Sequence, residues 1–192
     1  MKAIGVSGSP RKGGNSEALL GEALRAARDL GARTEMVRLA ALRYTGCTQC
    51  RACLKAGRCT RRDGLAGLYG KLRDADIWIF STPIYYDGVS GQMKSFFDRL
   101  WCFTQKGNNL EGRRAGAIVA ACEAKSSPFY GKVLESMAAY FNWFGKFDPV
   151  RTLCAGGLGP RGAAKRCPGA LARAGELGEF LINGLAGGRR KR

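Results

Sequence analysis

Residues 2–31, KAIGVSGSPRKGGNSEALLGEALRAARDLG, decide the fold. KAIGVS (2–7) is a short apolar run that stops at Ser-Gly, the pattern of a buried strand. From 15 to 30, apolar residues recur at Ala18, Leu19, Ala23, Leu24, Ala26, Ala27 and Leu30 before Gly31, the spacing and stop of a helix. Between them lies the polar, flexible loop SGSPRKGGNS (7–16). It lacks the Lys-Ser of a triphosphate loop, and it lacks GxGxxG. It does offer the hydroxyls of Ser7, Ser9 and Ser16, the amide of Asn15 and glycine-rich backbone N–H groups at a helix N-terminus. That is the chemistry of a nest for one terminal phosphate, to which Arg11 and Lys12 add charge. A plain strand–helix turn capped by Asn15 or Ser16 is the simpler alternative.

Outward from this unit the alternation continues. TEMVRL (34–39), DIWIFSTP (76–83), RAGAIVAAC (114–122) and a weaker FDPVRTLCA (147–155), interrupted by Pro149, read as strands. Residues 65–75, 90–101, 128–145 and 171–184 read as helices. Five strands alternating with helices predict an α/β fold, a doubly wound five-stranded parallel sheet with helices on both faces. One domain over 1–186 is expected, with a cysteine-rich insertion at about 43–64 after strand two and a basic tail at 187–192. Such sheets bind ligands beyond the carboxyl ends of their strands, which brings 7–16, 81–92 and 121–128 together.

The insertion contains GCTQCRACLKAGRC (46–59), in which Cys47, Cys50, Cys53 and Cys59 follow C-x2-C-x2-C-x5-C. Two successive x2 spacings let one turn supply three thiolates, and Gly57 permits the bend that returns the fourth. A cubane iron–sulfur cluster suits this spacing. Zinc, free thiols and disulfides remain alternatives, although structural zinc sites usually use separated knuckles or histidine, and this chain has no histidine. Arg51, Lys55, Arg58, Arg61 and Arg62 surround the cysteines and would favour the reduced, more anionic state of a cluster. Cys102, Cys122, Cys154 and Cys167 are scattered singly, and Cys102 and Cys154 read as core thiols.

Lys plus Arg total 32 against 15 Asp plus Glu, a formal charge of +17. That balance suits anionic partners or a solvated basic surface. No segment reaches membrane-spanning length, and eight cysteines without a secretory pattern suggest a cytoplasmic protein using thiols for metal or catalysis.

GSPRKGGNS, followed by a helix, and STPIYYDGVSGQMKSFFDR, after the third strand, together resemble the NAD(P)H-dependent FMN reductase and multimeric flavodoxin group over essentially the whole chain. The resemblance implies a flavodoxin-like sheet. It implies that Ser9, Arg11, Asn15 and Ser16 hold the FMN phosphate, and that Pro83, Ile84, Tyr85, Tyr86 and Gly88 lie along the flavin ring. The compact cysteine motif is similar to that of the iron–sulfur flavoproteins, where four cysteines bind a [4Fe–4S] cluster. ACEAKSSP (121–128) departs from the glycine-rich third loop of many relatives.

The first functional expectation is an electron-transfer flavoprotein in which FMN and a [4Fe–4S] cluster exchange electrons with ferredoxin or another acidic carrier. Catalysis would then be cofactor placement, with no side chain acting as acid or base. The alternative is an FMN-only reductase of quinones or other small oxidants driven by NAD(P)H. A zinc-bearing nucleic-acid module ranks last, because the cations are spread along the chain and both loops would lack a role. A homo-oligomer, dimer or tetramer, is what the resemblance implies for assembly.

Overall fold

The computed structural model describes residues 1–105 and 110–187. The basic tail read at 187–192 lies outside the described residues from 188 onward. Five strands form the parallel sheet: β1 (Lys2–Ser7), β2 (Arg33–Arg38), β3 (Ile77–Tyr85), β5 (Leu110–Ala121) and β6 (Gly145–Ala155), in the order β2-β1-β3-β5-β6. The short β4 (Gly88–Val89) folds back antiparallel on the end of β3. This is the flavodoxin-like order, and the order in which successive strands are added reverses between β1 and β3, the topological switch point.

The strands read as continuous apolar runs because both faces are covered. Along β3 the side chains alternate. Trp78 and Phe80 enter one core with Ile4, Val6, Ile118 and Ala120, whereas Ile77 and Ile79 enter the other with Ala3, Ala117 and Val119. The first core is covered by α3 (Ala66–Asp74), α4 (Gly91–Arg99), α5 (Pro128–Ala139) and α6 (Phe141–Phe144). It is strongly aromatic: Phe141 stacks on Phe80 at 5.5 Å, and Phe147 meets Trp78 at 5.0 Å. The second core is covered by α1 (Asn15–Asp29) and α7 (Pro168–Gly187). These two helices touch closely at Gly178, where a Cβ would fall 2.2 Å from the Ala23 carbonyl oxygen.

Several boundaries differ from the sequence reading. The helix expected over 128–145 divides at Tyr140, so that Phe141, Phe144 and Phe147 can turn into the aromatic core. β5 starts at Leu110 rather than 114, because its polar beginning pairs with Gly145 and Lys146 beyond the covered part of the sheet. β6 runs through Pro149 without stopping, since an edge strand has one side free of ladder bonds. Within the cysteine-rich insertion a short helix α2 (Ala52–Ala56) forms, which the sequence reading did not include. No described helix is long and apolar enough to cross a membrane.

Candidate functional site

The carboxyl ends of β1, β3, β5 and β6 surround a cavity of about 120 Å³. Of the residues singled out in the sequence, Ser9, Arg11, Asn15, Ser16, Pro83, Ile84 and Tyr85 line it. Ser7 lies behind the wall, wholly buried, and its hydroxyl accepts the Ser9 N–H at 3.4 Å. Tyr86 and Gly88 are not part of the lining. Tyr86 and Asp87 form the two-residue turn between β3 and β4, both with positive φ (48° and 52°), and the Tyr86 ring is fully exposed.

The first loop is tightly braced. The Ser9 hydroxyl donates to the Arg11 carbonyl at 3.0 Å, and the Arg11 N–H donates back to it at 3.2 Å. Glu17, buried in the first turn of α1, accepts the Gly13 N–H at 3.1 Å and pairs with Arg38 at 2.8 Å. The first-turn N–H groups of α1 have no partners within the helix and face the cavity end. Ser16 is 2% exposed, and its hydroxyl has no hydrogen-bond partner among the described residues. An unmet hydroxyl at a helix N-terminus, in a cavity that Arg11 also lines, suits an anion.

The Asn15 side chain bonds the protein itself. Its amide donates to the carbonyls of Leu158 (2.6 Å) and Pro160 (2.9 Å), and its carbonyl oxygen accepts the Ala164 N–H at 3.1 Å. Every polar atom of its side chain is thereby engaged in holding the loop after β6 against the phosphate-type loop. That loop is the part of the site that sequence reasoning missed. It adds Leu158, Gly159 and Arg161 to the lining, and Arg161 donates to the Lys12 carbonyl at 2.8 Å. The signal was present as GGLGPRG (156–162), a turn-rich run directly after a strand end. From the third loop, Ala121 and Glu123 join the lining.

Loops one and two are joined by Ser90. Its hydroxyl donates to the Gly8 carbonyl at 2.6 Å and accepts the Met93 N–H at 3.3 Å as the N-cap of α4, and its own N–H donates to the Thr82 hydroxyl at 3.1 Å. From this cap α4 extends nine residues, about 13 Å at the helical rise. Arg99 at its far end is 2% exposed. It donates to the Thr45 carbonyl (2.8 Å) and to both oxygens of Asp63 (2.7 and 3.1 Å), residues that flank the cysteine segment. One helix therefore has the loops that border the strand-end cavity at one end and the cysteine loop at the other.

All four motif cysteines, Cys47, Cys50, Cys53 and Cys59, line one small cavity of about 20 Å³, together with Arg99 and a fifth cysteine, Cys102. The backbone coils to achieve this. Gln49 and Arg51 adopt left-handed conformations (φ 53° and 57°), and Gly57 (φ 64°) ends α2 so that Cys59 turns back. The Gln49 N–H donates to the Cys47 sulfur at 3.4 Å. Cys53 is held above its ordinary thiol value by burial and further by Cys59, Cys47 and Cys50. Burial likewise pushes Cys102 up to about 12. Among the described residues no three Cys, Asp or Glu side chains gather closely enough for a single metal ion. All four motif thiols nevertheless border one cavity, the convergence that a shared cluster requires.

Cys59 carries a second mark of fit. The Tyr69 hydroxyl and the Arg99 Nε–H are buried and meet no oxygen or nitrogen acceptor among the described residues. The Cys59 sulfur lies close enough to perturb the proton affinity of both groups. A thiol is a weak acceptor, whereas a metal-bound thiolate is a strong one.

Residues 1–140 match the model of a family described as NADPH-dependent FMN reductase. An iron–sulfur flavoprotein of Archaeoglobus fulgidus is 35% identical over 164 residues, covering 85% of this chain and 67% of that protein. An iron–sulfur flavoprotein of Methanocaldococcus jannaschii is 40% identical over 99 residues, 52% of this chain and 51% of that one. The matched regions thus span about half to two thirds of these curated relatives. The solved structure of an NAD(P)H:quinone oxidoreductase from Methanothermobacter marburgensis superposes with a TM-score of 0.70 at 14% identity, covering 94% of this chain and 96% of that one.

Proposed function

This chain belongs to the NADPH-dependent FMN reductase family, whose members are flavin-dependent oxidoreductases, and within it we propose an electron-transfer flavoprotein that holds FMN and a [4Fe–4S] cluster. FMN at the strand-end cavity supplies the conversion between two-electron and one-electron traffic, and the cluster the one-electron port. Ser9, Ser16, Arg11 and the first-turn N–H groups of α1 bind the phosphate. Asn15 keeps the loop after β6 closed over that end. Pro83, Ile84 and Tyr85 lie along the ring, with the Tyr86–Asp87 turn and Gly88 bordering it. Cys47, Cys50, Cys53 and Cys59 hold the cluster.

The observation that carries this reading is at Cys59. Two buried donors that meet no oxygen or nitrogen acceptor among the described residues, beside one of the four motif sulfurs, suit a cluster thiolate. Hydrogen bonds to cluster sulfurs favour the reduced form. Replacing Tyr69 with phenylalanine is therefore expected to lower the cluster's reduction potential and leave the flavin's unchanged in a spectroscopically monitored redox titration. An unchanged cluster potential would contradict the assignment.

At the other end of α4, Ser16→Ala removes one donor to a charged phosphate. Such bonds contribute about 1.5–3 kcal/mol, so FMN binding to the apoprotein, followed by quenching of flavin fluorescence, is expected to weaken about ten- to hundredfold. Equal affinity would remove Ser16 from the phosphate site.

The electron partner we favour is an acidic carrier of the ferredoxin kind. Arg58, Arg61, Arg62 and Arg73 line an open groove of about 710 Å³ next to Cys59, a surface suited to steering an acidic protein toward the cluster. Assembly into a homo-oligomer is supported by the aromatic side chains left in water near α4–α6, with Trp143 60% and Phe129 50% exposed.

A further inference from the structure

Away from the four-cysteine loop, two cysteines that read as unrelated in sequence meet. Cys122 follows β5 directly, and Cys154 lies on β6 opposite Ala120. Ala120, Cys122 and Cys154 face the same aromatic core, and the Cys122 N–H bonds the Ala155 carbonyl at 2.9 Å, fixing the two strand ends side by side. Their sulfurs are 3.1 Å apart. Bond formation needs a closure of about 1 Å. The two thiols are not equivalent: Cys122 is 2% exposed, whereas Cys154 is partly exposed on the edge strand.

We propose that Cys122 and Cys154 form a peroxide-oxidisable dithiol, a redox site separate from both cofactor sites, which closes reversibly to a disulfide. The Cys154 sulfur attacks one oxygen of hydrogen peroxide. An S–O bond forms, the O–O bond breaks, and hydroxide leaves with the thiol proton as water. The Cys122 sulfur then attacks the Cys154 sulfur, the S–S bond forms, the S–O bond breaks, and the second oxygen leaves as water with the Cys122 proton. Two thiols are oxidised and one peroxide is reduced to two waters. A small dithiol reverses the step by exchange.

The division of labour follows from exposure. Either sulfur can donate in the 3.1 Å contact, but only Cys154 is open to a solvent-borne oxidant, Cys122 being 2% exposed. The exposed partner is thus the nucleophile and the buried one resolves. Cys122 also lies between Ala121 and Glu123, two residues that line the strand-end cavity, so its backbone borders that site while its side chain enters the aromatic core.

Trypsin isolates the two cysteines on separate peptides, residues 115–125 and 152–161, each with a single cysteine. The purified chain would be treated with hydrogen peroxide, alkylated, digested without reductant and analysed by mass spectrometry. The expected product is the linked pair, two hydrogens lighter than the sum of its peptides, lost on treatment with dithiothreitol. In Cys122→Ser, a dimedone adduct is expected at Cys154; in Cys154→Ser, none at Cys122. Recovery of both peptides singly alkylated after oxidation, or of either joined to another cysteine, would overturn the proposal. A missing dimedone adduct at Cys154 would overturn its role as the attacking thiol.

Discussion

Replacing Arg99 with methionine is expected to destabilise the protein by about 3–5 kcal/mol, the usual cost of removing one partner from a buried ion pair. The side chain is 1% exposed and Asp63 17%, so Asp63 would keep a charge that water reaches poorly. The Thr45 carbonyl would lose its donor as well. Both lost contacts flank the cysteine segment, so the damage is expected to be local before it is global. Amide exchange should accelerate over residues 43–64 more than in the sheet. Denaturant unfolding measures the magnitude, and hydrogen exchange locates it. A change below about 1 kcal/mol, the range of an exposed pair, would mean that Arg99 does not clamp the loop.

The same pair carries a pH dependence. The Arg99 hydrogen bond holds the Asp63 carboxyl below its ordinary value. Its contribution is complete above the unfolded carboxylate value of about 3.9 and is lost as pH falls through the depressed folded value. The acid-side decline in stability is therefore expected to be steeper in the wild type than in the Arg99→Met protein.

A second large effect is expected at the cysteines. Alanine at Cys47, Cys50, Cys53 or Cys59 removes one of four cluster ligands, and each single variant should lose nearly all bound iron and sulfide while keeping its flavin. Cys102 makes the informative comparison. It lines the same cavity but stands outside the C-x2-C-x2-C-x5-C spacing, so Cys102→Ala is expected to retain iron. Iron and acid-labile sulfide assays on the five variants read this directly. Loss of iron in Cys102→Ala, with retention in one of the four, would reassign the ligand set.

The architecture was legible because it rests on local patterns. Trp78 and Phe80 fill one core and Ile77 and Ile79 the other, so the run from 77 to 80 reads as apolar throughout, which only a two-sided strand needs. The break at Tyr140 was not legible, since the helical spacing continues past it and only Trp78 and Phe80, on a distant strand, explain why Phe141 and Phe144 turn away. Asn15 shows the same limit. Its place beside three serines was legible, but its side-chain partners in this structure lie 143 to 149 residues onward. Cys102 and Cys154 read as core thiols because each stands alone in sequence. Their neighbours are set by a helix turn in one case and by strand register in the other.

The central claim is that one chain holds both FMN and a cubane cluster. Anaerobic purification, followed by assays of flavin, iron and acid-labile sulfide, tests it most directly. The predicted result is one flavin with about four irons and four sulfides per chain. Flavin without iron, after anaerobic reconstitution with iron and sulfide, would contradict the claim and leave an FMN-only reductase driven by NAD(P)H.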